Sequence, residues 1–198
     1  MNDELQKAAV RRCASELSRA IWYYRAWKAL QEVERDNSAN FIRLAELAMW
    51  DQMIAHVVKI LSLNPKTGRG EKAGFWALCE CRATEVEAIC ERQGCDLDPI
   101  RKVGVGLKHI RDKTHFHLDA DGVSEPTEVW KKADITHDQL NAALSSSFTI
   151  INELHAIVFG ASHPIWNYDG SDAKVIAEHA NTYNLLYGGG CGETTRED

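Results

Sequence analysis

The chain has 198 residues, which suits a single domain with at most a small appendage. Its 44% hydrophobic residues suffice for a core, and its 26% charged residues are typical of a soluble surface. A formal net charge of −6 disfavours a general nucleic-acid coat. No apolar run approaches the roughly 18–20 residues of a membrane span, and the acidic N-terminus lacks the features of a signal peptide. We therefore expect a cytoplasmic protein that does not associate with membranes.

Apolar residues at helical spacing predict three helices in the first half of the chain. The first covers about residues 3–35, and the second begins after Asn37-Ser38 and ends at Asn64-Pro65. The third covers about residues 71–93 and stops at Gly94, a residue that favours helix C-termini. The apolar residues of the second helix are expected to face inward: Phe41, Leu44, Leu47, Ala48, Ile54, Val58 and Leu61.

A fourth amphipathic helix leads directly into the polar residues 111–119. Its predicted start has Asp98 as N-cap and Pro99 at the first helical position, where a missing N–H does no harm. Gly104 and Gly106 each cost about 1 kcal/mol relative to alanine in a helix. We therefore expect a close backbone approach or a local kink at these two glycines.

The last part of the chain contains a clear helix start. Residues 119–135 show little periodicity and are predicted to form a loop. Thr136 and Gln139 form a capping box, which predicts a fifth helix that continues to Gly160. A shorter sixth helix is predicted over residues 172–187.

The predicted fold class is all-α, because neither strand alternation nor an internal repeat is present. We expect an antiparallel bundle of about five to six helices. The expected segments are a bundle over residues 1–160, a helical appendage over 161–187 and a disordered tail over 188–198.

No metal or cofactor is expected from the cysteines. In a reducing compartment free thiols are the default, and several of these cysteines fall at helical core spacing. A structural zinc site favours paired Cys-x(2–4)-Cys knuckles in loops, whereas this set lies along a predicted helix. The six are Cys13, Cys79, Cys81, Cys90, Cys95 and Cys191.

The sequence RDKTHFHLD, residues 111–119, concentrates side chains that a core helix does not need. Between Pro99 and Leu118 there are five Lys or Arg residues and one acid, a local formal charge of +4. Metal-free RNA cleavage needs such groups together: a histidine to transfer protons, an arginine to stabilise phosphate charge and a carboxylate to orient the histidine. The alternative is that these are surface charges and histidines at a helix C-terminus, which favours cations.

This sequence resembles the motif of the HEPN superfamily, in which an arginine and a polar residue precede a histidine with four to six residues between Arg and His. Arg111 and His117 are separated by five residues, whereas Arg111 and His115 are separated by three and fall outside the pattern. The form RDK-x-x-x-H-x-D is similar to the abortive-infection branch of the superfamily. The resemblance extends over roughly residues 1–160.

The resemblance implies a metal-independent endoribonuclease in a bacterial defence or toxin–antitoxin setting. It would act as a homodimer with the two motifs facing each other, and its other partners would be RNA and an antitoxin or other regulatory protein. Arg111 would stabilise the scissile phosphate, His117 would be the general acid or base, and Asp112 would be the polar helper. Four further residues are auxiliary candidates: His115, Lys113, Lys108 and Asp119.

Two alternatives to a ribonuclease stay open. The first is a catalytically silent HEPN-like module that mediates dimerisation or binds a partner or nucleic acid. The second is a metal-dependent phosphohydrolase, although His115 and His117 would share a face only in an extended chain, and the capping box already explains the His137-Asp138 pair. The candidate ligands of a metal site near the motif are His109, His115, His117, Asp119 and Asp121.

Overall fold

The computed structural model describes residues 1–33, 40–115, 126–164 and 168–187. Within these residues it contains α-helices and one π-helical turn, Arg111–His115, and no strand, so the all-α prediction is confirmed for them. The predicted tail, residues 188–198, lies outside the described residues. The α-helices in chain order are α1 Asp3–Gln31, α2 Asn40–Leu61, α3 Phe75–Cys81, α4 Ala83–Gln93, α5 Leu97–Ile110, α6 Pro126–Ala133, α7 His137–Phe159 and α8 Ser171–Tyr187.

The chain divides into two compact units, and the long helices α1 and α2 each contribute to both. The first unit comprises Met1–Ile21 and Gln52–Trp166, and the second comprises Trp22–Asp51 and Asn167–Asp198. The predicted boundary at residue 160 stays a prediction. The described residues of the motif, 111–115, belong to the first unit.

In the first unit, α5 packs against α6 and α7, and α4 packs against α7. The predicted capping box of α7 is confirmed, because Thr136 Oγ1 accepts from the Gln139 N–H and Gln139 Oε1 accepts from the Thr136 N–H. Gly160 ends α7 in the left-handed conformation, with φ of 73°.

By length and composition α7 is apolar enough to span a membrane, with a mean hydropathy of 1.3. Its residues Leu140, Leu144 and Leu154 are buried in the first unit.

Two predicted helix boundaries in the first unit are wrong. The predicted single helix over residues 71–93 is divided into α3 and α4 at Arg82, which has φ of −126° and ψ of 38°. The N-cap of α5 is Asp96 rather than Asp98, because the Asp96 side chain accepts from the Asp98 N–H. Pro99 is therefore the third residue of the helix and still lies in the first turn, where a backbone N–H would have no helical acceptor and its absence does no harm.

The predicted loop over residues 119–135 contains a helix, α6. It has only eight residues, too few for the recurrence of apolar residues that marks a helix in a sequence. Val129 and Ala133 are its buried residues, and Lys131 pairs with Glu128 at 2.6 Å. This helix supplies one wall of the candidate site.

In the second unit, the inward face of α2 differs from the prediction. Phe41, Leu44 and Leu47 are 75%, 64% and 61% exposed. The buried Ile42 belongs to a cluster with Leu30, Val33 and Ala177, against which Ala45, Met49, Ala173 and Ala180 pack. In the first unit, by contrast, Ile54, Val58 and Leu61 are buried as predicted. The two ends of α2 therefore bury different stripes.

Gly104 and Gly106 allow α5 to approach neighbouring backbone closely, which confirms the first of the two expectations for them. A Cβ at Gly104 would lie 2.3 Å from the Leu61 carbonyl oxygen, and one at Gly106 would lie 2.5 Å from the Ala133 carbonyl oxygen. The Leu63 N–H donates to the Gly104 carbonyl at 2.9 Å. These contacts fix α5 against the end of α2 and the end of α6.

Candidate functional site

The motif begins where α5 continues into the π-helical turn Arg111–His115. The Arg111 N–H donates to both the Leu107 and Lys108 carbonyls, so α5 continues into this turn without a break in its backbone hydrogen bonding. π-helical turns are wider than α-helical turns, and they are found mostly within α-helices and often at functional sites. The turn also packs against α6. The first residues of the motif are thus held by two helices.

Arg111 is half-buried, and two carboxylates hold its guanidinium. Its Nε donates to Asp112 Oδ1 at 2.9 Å, and one Nη donates to Glu71 Oε1 at 3.5 Å. Glu71 lies just before α3, so this contact joins residues forty apart in sequence. The position of the arginine is consequently set by more than its own helix.

Asp112 contacts cations in the structure. Its carboxylate accepts from Lys108 Nζ and from Arg111 Nε. Burial opposes its ionisation, but these two hydrogen bonds and the charges of Lys108 and Arg111 hold the pKa of Asp112 below its usual value. Asp112 is therefore ionised at neutral pH and orients the two cations beside it.

The histidines of the motif are only partly covered by the structure. His115 ends the π-helical turn, and its side chain is not described. His117 and Asp119 lie outside the described residues. The pairing of Arg111 with His117, and the role of Asp119, stay predictions.

A cavity of about 750 Å³ lies beside the motif in the first unit. We call it the lysine pocket, because five lysines line it: Lys66, Lys102, Lys108, Lys113 and Lys132. Asp112 is the acid among its described lining residues, which gives the pocket a formal charge of +4 with His109 neutral. The lysines come from the loop after α2, from α5, from the π-helical turn and from α6.

The charges of the lysine pocket are neutralised unevenly. Lys102 pairs with Asp134 at 2.8 Å, and Lys108 pairs with Asp112. Among the described residues, no carboxylate lies within ion-pair distance of Lys66 or Lys132. His109 is also a lining residue of the pocket, but its Nε2 atom is buried and has no hydrogen-bond partner in the described part of the chain.

Sequence reasoning named Lys108 and Lys113 but missed Lys66 and Lys132. Lys66 lies in a polar, glycine-containing loop 45 residues before Arg111, and Lys132 lies in the segment predicted as a loop. No local pattern connects them to the motif. The close approach at Gly104 and Gly106 brings their two segments to α5.

No protein-family model, curated protein or solved structure matches the chain. The HEPN resemblance therefore depends on the residues of the motif and on the all-α fold.

Among the described residues, no three His, Cys, Asp or Glu side chains lie close enough together to hold a metal ion. The metal-ligand candidates His117, Asp119 and Asp121 lie outside that part of the chain. The five described cysteines are free thiols. Burial raises the pKa of the Cys13 and Cys79 thiols to about 12, so both are unreactive core residues.

A buried charged group that sequence reasoning missed joins α1 to α2 in the first unit. Glu16 is 1% exposed, and its Oε2 lies 2.5 Å from His56 Nδ1. Arg12 approaches Glu16 Oε1 at 2.6 Å, and Lys59 approaches Oε2 at 3.8 Å. Burial opposes ionisation, but the His56 hydrogen bond and the nearby cations hold the pKa of Glu16 below its usual value. We assign the group a structural role.

Proposed function

We propose that the protein is a metal-independent endoribonuclease of the HEPN type. The observation that carries this proposal is that Arg111, Asp112 and Lys108 form one charged network at the end of α5, beside a pocket lined by lysines. An arginine oriented by a carboxylate presents its planar donors in a fixed direction, which suits the oxygens of a phosphate. The lysine pocket supplies a positive potential in a chain whose net charge is −6.

The proposed reaction uses a nucleophile that RNA itself carries. The ribose 2′-hydroxyl loses its proton to a histidine and attacks the adjacent phosphorus. The bond from phosphorus to the 5′-oxygen breaks, and a second histidine donates a proton to that leaving oxygen. The products are a 2′,3′-cyclic phosphate and a free 5′-hydroxyl, and neither a metal nor water takes part.

In this mechanism His117 transfers the protons and Arg111 stabilises the extra charge on the phosphate. One histidine per chain does not supply both an acid and a base at once. We therefore propose a homodimer in which the motifs of two chains form one site, since two-fold symmetry brings the same patch of each chain together.

The test is cleavage of single-stranded RNA by purified protein in the presence of a chelator. We expect RNA to be cut to products with 2′,3′-cyclic phosphate ends and DNA to stay intact. General acid–base and electrostatic assistance are each worth roughly 10²–10⁴-fold, so Arg111→Ala and His117→Ala should each lose about that much activity. His115→Ala should lose less.

The matched control for Arg111→Ala is Arg92→Ala, because Arg92 also pairs with a carboxylate, Glu153, at 2.8 Å. Arg92→Ala should cleave like the parent. If Arg111→Ala and His117→Ala also cleave like the parent, the ribonuclease assignment to this site is wrong. If His115→Ala is inactive while His117→Ala is active, the assignment of the catalytic histidine is wrong.

A catalytically silent HEPN-like binding module is the second candidate, and one observation favours it. Both Asp112 and Glu71 already contact the Arg111 guanidinium, which reduces the charge that it presents to a phosphate. In a ribonuclease, Glu71→Ala should leave cleavage unchanged or raise it, because the substrate phosphate replaces Glu71. In a silent module, the parent and Glu71→Ala should bind RNA or a protein partner without cutting RNA.

A further inference from the structure

We propose that the lysine pocket binds the phosphate backbone of the RNA strand immediately beside the scissile phosphate. This inference rests on the proposed ribonuclease function, which it extends by naming residues that hold the substrate away from the reacting atoms. The pocket and the motif share Asp112, which lines the pocket and accepts from Arg111 Nε at 2.9 Å. A strand whose scissile phosphate lies at Arg111 therefore passes next to the pocket.

The lysine pocket is built from several segments of the chain, unlike the solvated face of a single helix. Lys66 follows α2, Lys102 and Lys108 lie on α5, and Lys132 lies on α6. Bringing like charges together disfavours folding unless anions compensate them. Within the described residues, Asp134 and Asp112 compensate Lys102 and Lys108, whereas Lys66 and Lys132 have no carboxylate at ion-pair distance. These two lysines are the ones we expect to contact substrate phosphates.

The size of the pocket suits a nucleotide unit. Its volume of about 750 Å³ falls in the roughly 300–1,000 Å³ range of ligand sites. The polar groups that the pocket offers a ligand are therefore mainly the ammonium groups of its lysines. Lysine binds phosphate as a point charge and reads no base. We therefore expect the pocket to supply affinity and register without sequence preference.

The test measures binding separately from cleavage. A fluorescent single-stranded RNA with 2′-O-methyl riboses lacks the nucleophile and stays intact, so its Kd is measurable by anisotropy over a range of salt concentrations. For single strands, each phosphate contact contributes about 0.7 to the slope of log Kd against log salt. The double variant Lys66→Ala/Lys132→Ala should bind more weakly, with a slope lower by roughly 1.4.

The matched control is Lys131→Ala, because Lys131 is adjacent to Lys132 on α6, pairs with Glu128 and does not line the pocket. It should bind with the slope of the parent. Equal slopes for the parent, the double variant and the control would overturn the inference, even if the protein cleaves RNA. A parent that binds through Lys66 and Lys132 but cuts no RNA would support the pocket and refute the ribonuclease.

Two competitors distinguish other occupants of the pocket. The first is a nucleoside monophosphate. If it binds the parent more tightly than the oligonucleotide does, and the double variant no longer binds it, the proposed RNA strand is wrong and the occupant is a free nucleotide. Polyglutamate that competes as well as RNA of equal charge would overturn it in favour of an acidic protein segment. If both compete only weakly, the RNA strand is supported.

Discussion

Replacing Gly104 by alanine tests the close backbone contact between α5 and the end of α2, which positions α5 and Arg111 in the first unit. The added Cβ would lie 2.3 Å from the Leu61 carbonyl oxygen, whereas ordinary contacts begin near 3.4 Å, so the backbone must move by about 1 Å. The same oxygen accepts from the buried Trp76 indole N–H at 2.7 Å. The substitution therefore strains one backbone contact and breaks one buried hydrogen bond.

Three effects determine how much Gly104→Ala changes the free energy of unfolding. Overpacking costs about 1–3 kcal/mol, and a buried donor left without its acceptor costs about 1–3 kcal/mol. The higher helix propensity of alanine offsets about 1 kcal/mol of this destabilisation. We expect the free energy of unfolding to fall by roughly 3 kcal/mol, which lowers Tm by about 6–12 °C for a chain of this size.

The free energy of unfolding is measured by urea denaturation, with circular dichroism as the probe of unfolding. Val105→Ala is the control, because Val105 lies between the two glycines and is 36% exposed, and it should change stability by at most about 0.5 kcal/mol. In a Trp76→Phe background the hydrogen bond is already absent, so Gly104→Ala should cost about 1–3 kcal/mol less there. A Gly104→Ala protein as stable as the parent would refute the steric reasoning. An equal cost in both backgrounds would refute the part assigned to Trp76.

Four further outcomes are expected. Glu16→Gln should cost about 3 kcal/mol at pH 7, because a neutral amide replaces the buried carboxylate that contacts His56, Arg12 and Lys59. The pKa of Glu16 is lowered in the folded state, so its contribution to the free energy of unfolding is present above the ordinary glutamate pKa and is lost as pH falls through the folded-state pKa. Between pH 6 and pH 3 the parent should therefore lose more stability than Glu16→Gln. Parallel plots of stability against pH for the two proteins would contradict this. Thr136→Ala should cost about 1 kcal/mol through loss of the capping box, and a change below about 0.3 kcal/mol in urea unfolding would count against it. Light scattering after size exclusion should give the mass of a dimer, and a strict monomer at micromolar concentration would remove the two-histidine mechanism. Elemental analysis should find no stoichiometric metal, and zinc or manganese lost together with activity on chelation would favour a phosphohydrolase.

The helices with strong local signals were predictable from the sequence. Thr136 and Gln139 fix the start of α7, and Gly160 fixes its end, because caps depend on residues within one or two turns. The start of α5 was predicted within two residues, and the error arose because Asp96 and Asp98 are both able to cap a helix. The short helix α6 was missed because its eight residues carry too little periodicity.

The candidate site was only partly predictable. Arg111 and Asp112 were named because they are adjacent to each other and to two histidines in the sequence. Glu71, which holds the other side of the Arg111 guanidinium, was not named, because nothing local to residue 71 indicates a partner forty residues away. The pairing of Glu16 with His56 was missed for the same reason.

The sequence by itself determined that the chain is helical, where several helices begin and end, and which short segment concentrates charge and histidine. These properties depend on interactions between residues a few positions apart. Only the tertiary structure decided that the Phe41 side of α2 faces solvent, that Arg111 contacts Glu71, and that Lys66 and Lys132 share a pocket with α5. Such contacts join residues far apart in the chain, and they depend on how closely the backbones approach, which two glycines on α5 permit.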